Sequence, residues 1–242
     1  MTTAPPLHAW DLTTQAAVEL QHRLRQNVRI LDDTTDWPLP LPDRAARMAD
    51  GLPVLVAGVD ASYAKGSNTC HAAVVVWDAQ AQRVVESVSA SGTTDFPYVP
   101  GLLTFREGPI VLEALARLTC RPGAYMFDGQ GIAHPRRFGI ACHMGLWLDA
   151  PTIGCAKTRL CGEHDTVRAV RGEWTPLVLG AGERIGAVVC TRDNCNPFFV
   201  SPGHLASHRF AIELVLACDS GYRSPQPVRL ADQETKRLLR EG

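Results

Sequence analysis

Apolar positions recur along this chain with two periods, and the change between them orders the elements. Ala17, Leu20, Leu24, Val28 and Leu31 follow one another at three- and four-residue spacing, which predicts an amphipathic helix over 13–31. Residues 32–53, rich in Pro and Asp, predict an irregular connection. Three β-type runs come next, at 54–61, 71–78 and 83–90, joined by polar segments too short for crossovers, so they are expected to pair antiparallel. Beyond a turn-rich stretch at 96–101 the order becomes helix (to 119), strand (124–128), helix (138–148) and strand (152–156). That alternation implies parallel crossovers added to the meander. Two further strand-like runs, at 185–190 and 198–200, lead to a helix over 205–218 and a polar, frayed C-terminal helix. The expected fold is α/β: a mixed sheet of three antiparallel strands followed by parallel α-β units, flanked by helices, an element order shared by ribonuclease H-like folds and by ordinary mixed sheets.

Composition narrows the class. With 242 residues, 45% hydrophobic and 20% charged, the chain suits one globular domain, taken here as 1–242 with its core at about 54–232. No apolar run reaches the roughly 18 residues that cross a bilayer, and the N-terminus lacks the basic-then-apolar order of a secretory signal, so a cytoplasmic monomer with no membrane partner is expected. Eight cysteines form no CxxC pair and sit mostly in apolar runs, which favours reduced, partly buried thiols over disulfides or a zinc site at Cys190 and Cys195. A net charge of −1 argues against gripping nucleic acid by bulk positive charge. Lysine appears only at Lys65, Lys157 and Lys236, which makes an individually placed one easier to notice.

Asp60 ends the apolar run VLVAGV and Asp128 ends AYMF, so both stand at carboxyl ends of expected central strands, where open α/β sheets place ligands. Glu107 lies two residues before Pro109, a placement expected near the start of a helix. Two carboxylates about 4 Å apart repel by roughly 4 kcal/mol at an effective dielectric of 20, and a divalent cation reverses that sign. Oxygen-only ligation suits Mg²⁺, with phosphodiester hydrolysis as the chemistry it serves. Taken singly, each acid is equally an ordinary turn or helix-end residue.

The intervening motifs change that balance. GVDASY at 58–63, PYVPGLLTFRE at 97–107, DGQGIAHPRRFGIACHMG at 128–145, PTIGCAKTRLCG at 151–162, CNPFFVSPGH at 195–204 and GYRSPQPVRLAD at 221–232 together resemble the successive motifs of the endonuclease V family. The resemblance implies a Mg²⁺-dependent (Mn²⁺ substituting) nuclease that nicks DNA at the second phosphodiester 3′ to deoxyinosine. It implies Asp60, Glu107 and Asp128 as metal ligands, and Lys157 and His134 as further catalytic residues. Tyr98, Val99 and Pro100 would form a wedge between bases. Gly101, Leu103, Ile140, Gly154 and Leu160 would surround a displaced base, with Gly129 and Gly131 turning the chain beside the metal. Arg136, Arg137 and Arg223 are candidate phosphate contacts, and His204 matches a further family position, whereas His143 is expected to be structural. One departure stands out: an acid is expected five residues after the Gly203-His204 pair, and Arg209 occupies that place, which leaves one metal or two open. Two alternatives share the motif set: a ribonuclease H-like nuclease preferring inosine-containing RNA or structured DNA, and a non-catalytic lesion-binding module.

Overall fold

The computed structural model describes residues 7–34, 54–64 and 66–241, so most of the connection expected at 32–53 and Lys65 lie outside the described residues. An eight-stranded sheet runs through it in the order β3-β2-β1-β4-β5-β8-β7-β6. The meander comes first: β1 (Leu55–Tyr63), β2 (Thr69–Asp78) and β3 (Arg83–Thr93) pair antiparallel as expected. Helix α2 (Leu103–Leu115) then carries the chain to β4 (Ala124–Asp128), parallel to β1, and α3 (Ile140–Leu148) carries it to β5 (Thr152–Ala156), parallel to β4. These five strands are the expected ribonuclease H-like arrangement.

The sheet continues past β5 through antiparallel pairs: β8 (Phe198–Pro202) on β5, β7 (Glu183–Val189) on β8 and β6 (Trp174–Leu179) on β7. The hydrophobic pattern does not predict β6. Its burial alternates over WTPLVL, with Pro176 on the sheet's outer edge, the position at which proline costs no ladder bond.

Helices cover both faces. Val56, Met126, Ile153 and Val200 turn to one face, where α4 (His208–Ala217) and α5 (Gln226–Glu241) seal the core. Ala57, Val59, Tyr125 and Phe127 turn to the other, under α2 and α3. On that side α1 (Thr14–Leu24) buries Ala17, Leu20 and Leu24 against Phe96, Leu102 and Phe105, and a short 3₁₀ turn at Arg25–Asn27 ends it before the predicted Leu31.

Two expectations need correction. The C-terminal helix is not a frayed appendage: α5 packs on β1, β2 and β4. Its buried contacts come from small side chains, Pro227, Val228, Ala231 and Thr235, a stripe too slight to register as an apolar face. Glu107 is the fifth residue of α2, in its second turn rather than at its start, and Pro109 lies inside the helix two residues later. All eight cysteines are free, and His143 is fully buried among Trp10, Phe105 and Phe138, in the structural role expected of it.

Candidate active site

The paired register of β1 and β4 ends at Val59 opposite Phe127, so Asp60 and Asp128 emerge side by side where the two strands part; Asp128 ends β4 as expected, whereas Asp60 does not end its strand, because β1 runs on to Tyr63 along β2. Alternation along both strands sends these side chains to the α5 face, opposite the face of Val59 and Phe127. Helix α5 meets them with Asp232. Ligand oxygens of Asp60, Asp128 and Asp232 all lie within 4.8 Å of one another, the one such group among the described residues. Glu107 approaches from α2 on the opposite face and is not part of that close set, although its burial is nearly complete and its carboxyl feels the repulsion of both Asp60 and Asp128.

The electrostatics record the crowding. Burial, then repulsion from Asp128 and Asp232, pushes the Asp60 carboxyl up to about 7 against the pull of Lys157. Burial, then Asp60 and Asp128, holds Glu107 well above the ordinary carboxylate range. Burial alone would lower Lys157, but Asp128 and Asp232 outweigh it and hold the ammonium above its ordinary value. Lys157 Nζ donates to Asp128 Oδ2 at 2.6 Å and to Asp232 Oδ1 at 3.2 Å, and Lys236 Nζ donates to Asp232 Oδ2 at 2.6 Å. Two ammonium groups therefore offset part of the charge of the three clustered aspartates. An all-oxygen donor set with surplus negative charge fits a hard divalent cation.

A cavity of about 480 Å³ opens beside this group, within the usual range for small-ligand sites. The segment Tyr98, Val99, Pro100 and Gly101 forms one wall, Leu103 and Thr104 of α2 and Ile140 of α3 another, and Gly129, Gln130 and His134 a third. Lys157, Thr158, Arg159 and Leu160 close it after β5, and Asp128 joins it to the carboxylates. Both α2 and α3 open their N-termini here, and first-turn amides have no partner within their helices. Gln130 Nε2 donates to the Thr158 carbonyl, tying two walls together.

Most of the predicted site residues are thus brought together, but several take other positions. Gly154 and Gly131 do not line the cavity: a Cβ on Gly154 would sit 2.2 Å from the Gly131 nitrogen, so the pair lets β5 and the loop after β4 touch backbone to backbone. His134 and Arg136 both donate to the Gly101 carbonyl, at 3.0 and 2.8 Å, and Gln21 adds a third donor at 2.9 Å. His134 Nδ1 meanwhile accepts from the Arg136 amide at 3.1 Å, so both ring nitrogens are engaged and the ring is neutral. Burial, then Arg136, pushes it down to about 4. The geometry gives His134 and Arg136 the task of fixing the Tyr98–Gly101 wall. Arg137 is taken by Glu183, and Arg223 donates to the carbonyls of Asn196, Pro197 and Lys157. His204 stands at the opposite end of β5, where its amide donates to Thr152 and its Nδ1 accepts from the Arg29 amide. Arg209 pairs with Glu213 on α4, which packs on β7 and β8 rather than on the strands carrying the acids.

Sequence reasoning did not single out Asp232. It closes the last motif, and the small residues Val228, Ala231 and Thr235 at helical spacing around it were the available sign that this turn faces the sheet.

The endonuclease V family model matches residues 43–233, a span that includes every acid of the site. The chain belongs to the endonuclease V family. An endonuclease V of Methanothrix thermoacetophila is 44% identical over 225 residues, covering 93% of this chain and 92% of the relative. The crystal structure of Streptomyces avermitilis endonuclease V superposes with a TM-score of 0.83 at 39% identity, covering 96% of each chain. A Ciona intestinalis endonuclease V in complex with a 24mer DNA containing an inosine followed by a ribo-adenosine shares the fold, with a TM-score of 0.76 at 23% identity over 95% of this chain and 99% of that one. Endonuclease V proteins are nucleases, and this chain is an enzyme of that class. No helix among the described residues is long and apolar enough to cross a membrane.

Proposed function

We propose that this endonuclease V acts on deoxyinosine in DNA, nicking the second phosphodiester on the 3′ side of the lesion to leave a 3′-hydroxyl and a 5′-phosphate. One observation carries the reading: a cavity roomy enough for a base adjoins the carboxylate cluster, with Asp128 and Lys157 in both. A base held in the cavity places its own strand's backbone at the acids. The Ciona relative's complex with inosine-containing DNA supports the substrate.

Asp60, Asp128 and Asp232 would hold a divalent cation, with Glu107 adding charge from the other face; Mg²⁺ is proposed on the oxygen-only donor set, and Mn²⁺ as its substitute. Such an ion supplies an activated water and neutralises charge building on the phosphate. The protein's own groups do the rest. Lys157 stands where a scissile phosphate would pass, its ammonium held charged by two carboxylates. In this reading, amides at the N-termini of α2 and α3 would meet the O6 acceptor edge of hypoxanthine, which adenine replaces with an amino donor, and the wall would have to turn away the added 2-amino group of guanine. Tyr98, 71% exposed at the cavity mouth and backed by Pro100, fills the gap left in the base stack.

A gel nicking assay on a duplex with one deoxyinosine, with and without Mg²⁺, tests substrate, metal and cut position together. Cutting of matched undamaged duplex at equal rate, or of an inosine RNA in preference to the DNA, would overturn the reading. The wedge has its own test. Tyr98→Ala should leave thermal stability unchanged and lower nicking of the inosine duplex by about tenfold or more, the scale of one lost base–aromatic stack. A single-stranded inosine oligonucleotide, which needs no gap filled, should be cut nearly as well as before.

A further inference from the structure

The fully buried Thr235 sits one helical turn beyond Asp232 and has no place in the chemistry described so far. Its Oγ1 lies 3.2 Å from Asp60 Oδ2, 2.9 Å from Ser62 Oγ and 3.0 Å from the Asp232 carbonyl oxygen. A hydroxyl has one proton to give and two lone pairs to receive. The Asp232 carbonyl can only accept, and Asp60 Oδ2 likewise once the acid is ionised, so Ser62 is the neighbour that can donate. With Ser62 donating, the one Thr235 proton is shared between the Asp60 carboxylate and the Asp232 carbonyl, and an ionised carboxylate is the stronger acceptor of the two. Ser62 and Asp60 are two residues apart on β1, hence on one face of the sheet, and α5 covers that face.

We infer that Thr235 is a positioning residue for the cation site: the chain Ser62 to Thr235 to Asp60 ties down Oδ2 and leaves Oδ1 of Asp60 to face the ion. One turn of α5 then does two jobs, presenting Asp232 as a carboxylate and orienting Asp60 through Thr235. Hydroxyl support of this kind lowers the cost of ordering a carboxylate before the ion arrives, so its loss falls first on cation affinity. The inference rests on the reading of Asp60 as a cation-holding residue.

The test compares Thr235→Val, Thr235→Ser, Ser62→Ala and Asp60→Ala by titrating each metal-free protein with Mn²⁺ in a calorimeter, without DNA. Thr235→Val keeps size and shape, and is expected to bind Mn²⁺ about tenfold more weakly. Thr235→Ser should bind within about twofold of the wild type, because it keeps the hydroxyl. Ser62→Ala should weaken binding by a smaller but measurable factor, and it carries the test should Thr235→Val fail to fold. Nicking at saturating Mn²⁺ should recover in Thr235→Val, shifting the half-saturating concentration rather than the plateau. Wild-type Mn²⁺ affinity in both Thr235→Val and Ser62→Ala overturns the inference, as does equal weakening in Thr235→Ser and Thr235→Val. Asp60→Ala separates the two levels: if it too binds Mn²⁺ normally, the cation site itself has been misplaced, whereas its loss beside unaffected Thr235 variants removes only the positioning role.

Discussion

Asp60 shows how a functional residue is paid for in stability. Burial, then the charge of Asp128, pushes its carboxyl up to about 7 in the folded, metal-free protein, against about 4 in an unfolded chain. Between those values the folded state holds the extra proton, so the stability this group contributes is fully present below pH 4, falls as pH rises toward 7, and stays lost above it. Asp60→Asn has no such proton to lose and keeps nearly the same shape. In the absence of divalent cation the variant should therefore melt higher than the wild type at pH 8, by about 5 °C if some 2 kcal/mol of strain is relieved in a chain of this length. The advantage should vanish near pH 4. Saturating Mg²⁺ should reverse the order at pH 8, because only the wild type gains the ion, and nicking by the variant should be abolished. Equal melting of the two metal-free proteins at pH 8 would show that Asp60 carries no strain. His134 runs the other way at this scale. A histidine beside a predicted metal site invites a proton-transfer role, yet both its nitrogens are spent on the Gly101 carbonyl and the Arg136 amide. A motif shows that a residue matters; only its partners show for what.

At the scale of elements, legibility followed the strength of the apolar signal. The central strands β1, β4 and β5 were readable because each is a buried run closed by a polar residue, and the placement of Asp60 and Asp128 followed from it. Strand β6 was not, because a half-exposed edge strand with an internal proline differs little from a loop in sequence. Helix α5 was legible as a helix and illegible as a functional one. Its sheet-facing residues are small, and the reason lies in β1 rather than in α5: a Cβ on Gly58 would come within 2.1 Å of the Pro227 carbonyl carbon and 2.4 Å of the Val228 nitrogen. The helix lies so low on the sheet that only glycine fits beneath it, and that low seat lets Asp232 and Thr235 reach Asp60. Gly58→Ala should then cost about 3 kcal/mol or more, since backbone must move. Gly92→Ala on β3 is the control, because its Cβ would meet only the tip of the Ile110 side chain, at 2.5 Å. That variant should lose about 1 kcal/mol, the low end for a clash a rotamer change can relieve. Urea unfolding measures both. Folded Gly58→Ala should also bind Mn²⁺ weakly, because α5 carries two parts of the site, whereas Gly92→Ala should bind it normally.

For the whole molecule, the question is how a protein with a net charge of −1 holds a polyanion. Counting arginines misleads, because those nearest the site are already committed: Arg136 to Gln21 and Gly101, Arg137 to Glu183, and Arg223 to three carbonyls. Their charges fix the walls of the cavity. Arg159 is different, exposed on the cavity rim with no ion-pair partner among the described residues. With Lys157 itself paired to Asp128 and Asp232 and few cations beside Arg159 at the cavity free to meet phosphates, binding must rest on the captured base and the inserted Tyr98 more than on counterion release. The logarithm of affinity for an inosine duplex should therefore fall with the logarithm of salt at a slope of only about −2 to −3, corresponding to two or three neutralised phosphates. Arg159→Ala should reduce that slope by about one and weaken inosine and undamaged duplexes by the same factor, since a phosphate contact reads no base. Tyr98→Ala should do the opposite, leaving the slope alone and narrowing the preference for an inosine duplex by about tenfold. Fluorescence anisotropy across a salt series, in Ca²⁺ to prevent cutting, distinguishes the two. A slope near −8 in the wild type would mean that a basic surface outside the cavity dominates, and that the cavity selects the lesion without holding the DNA.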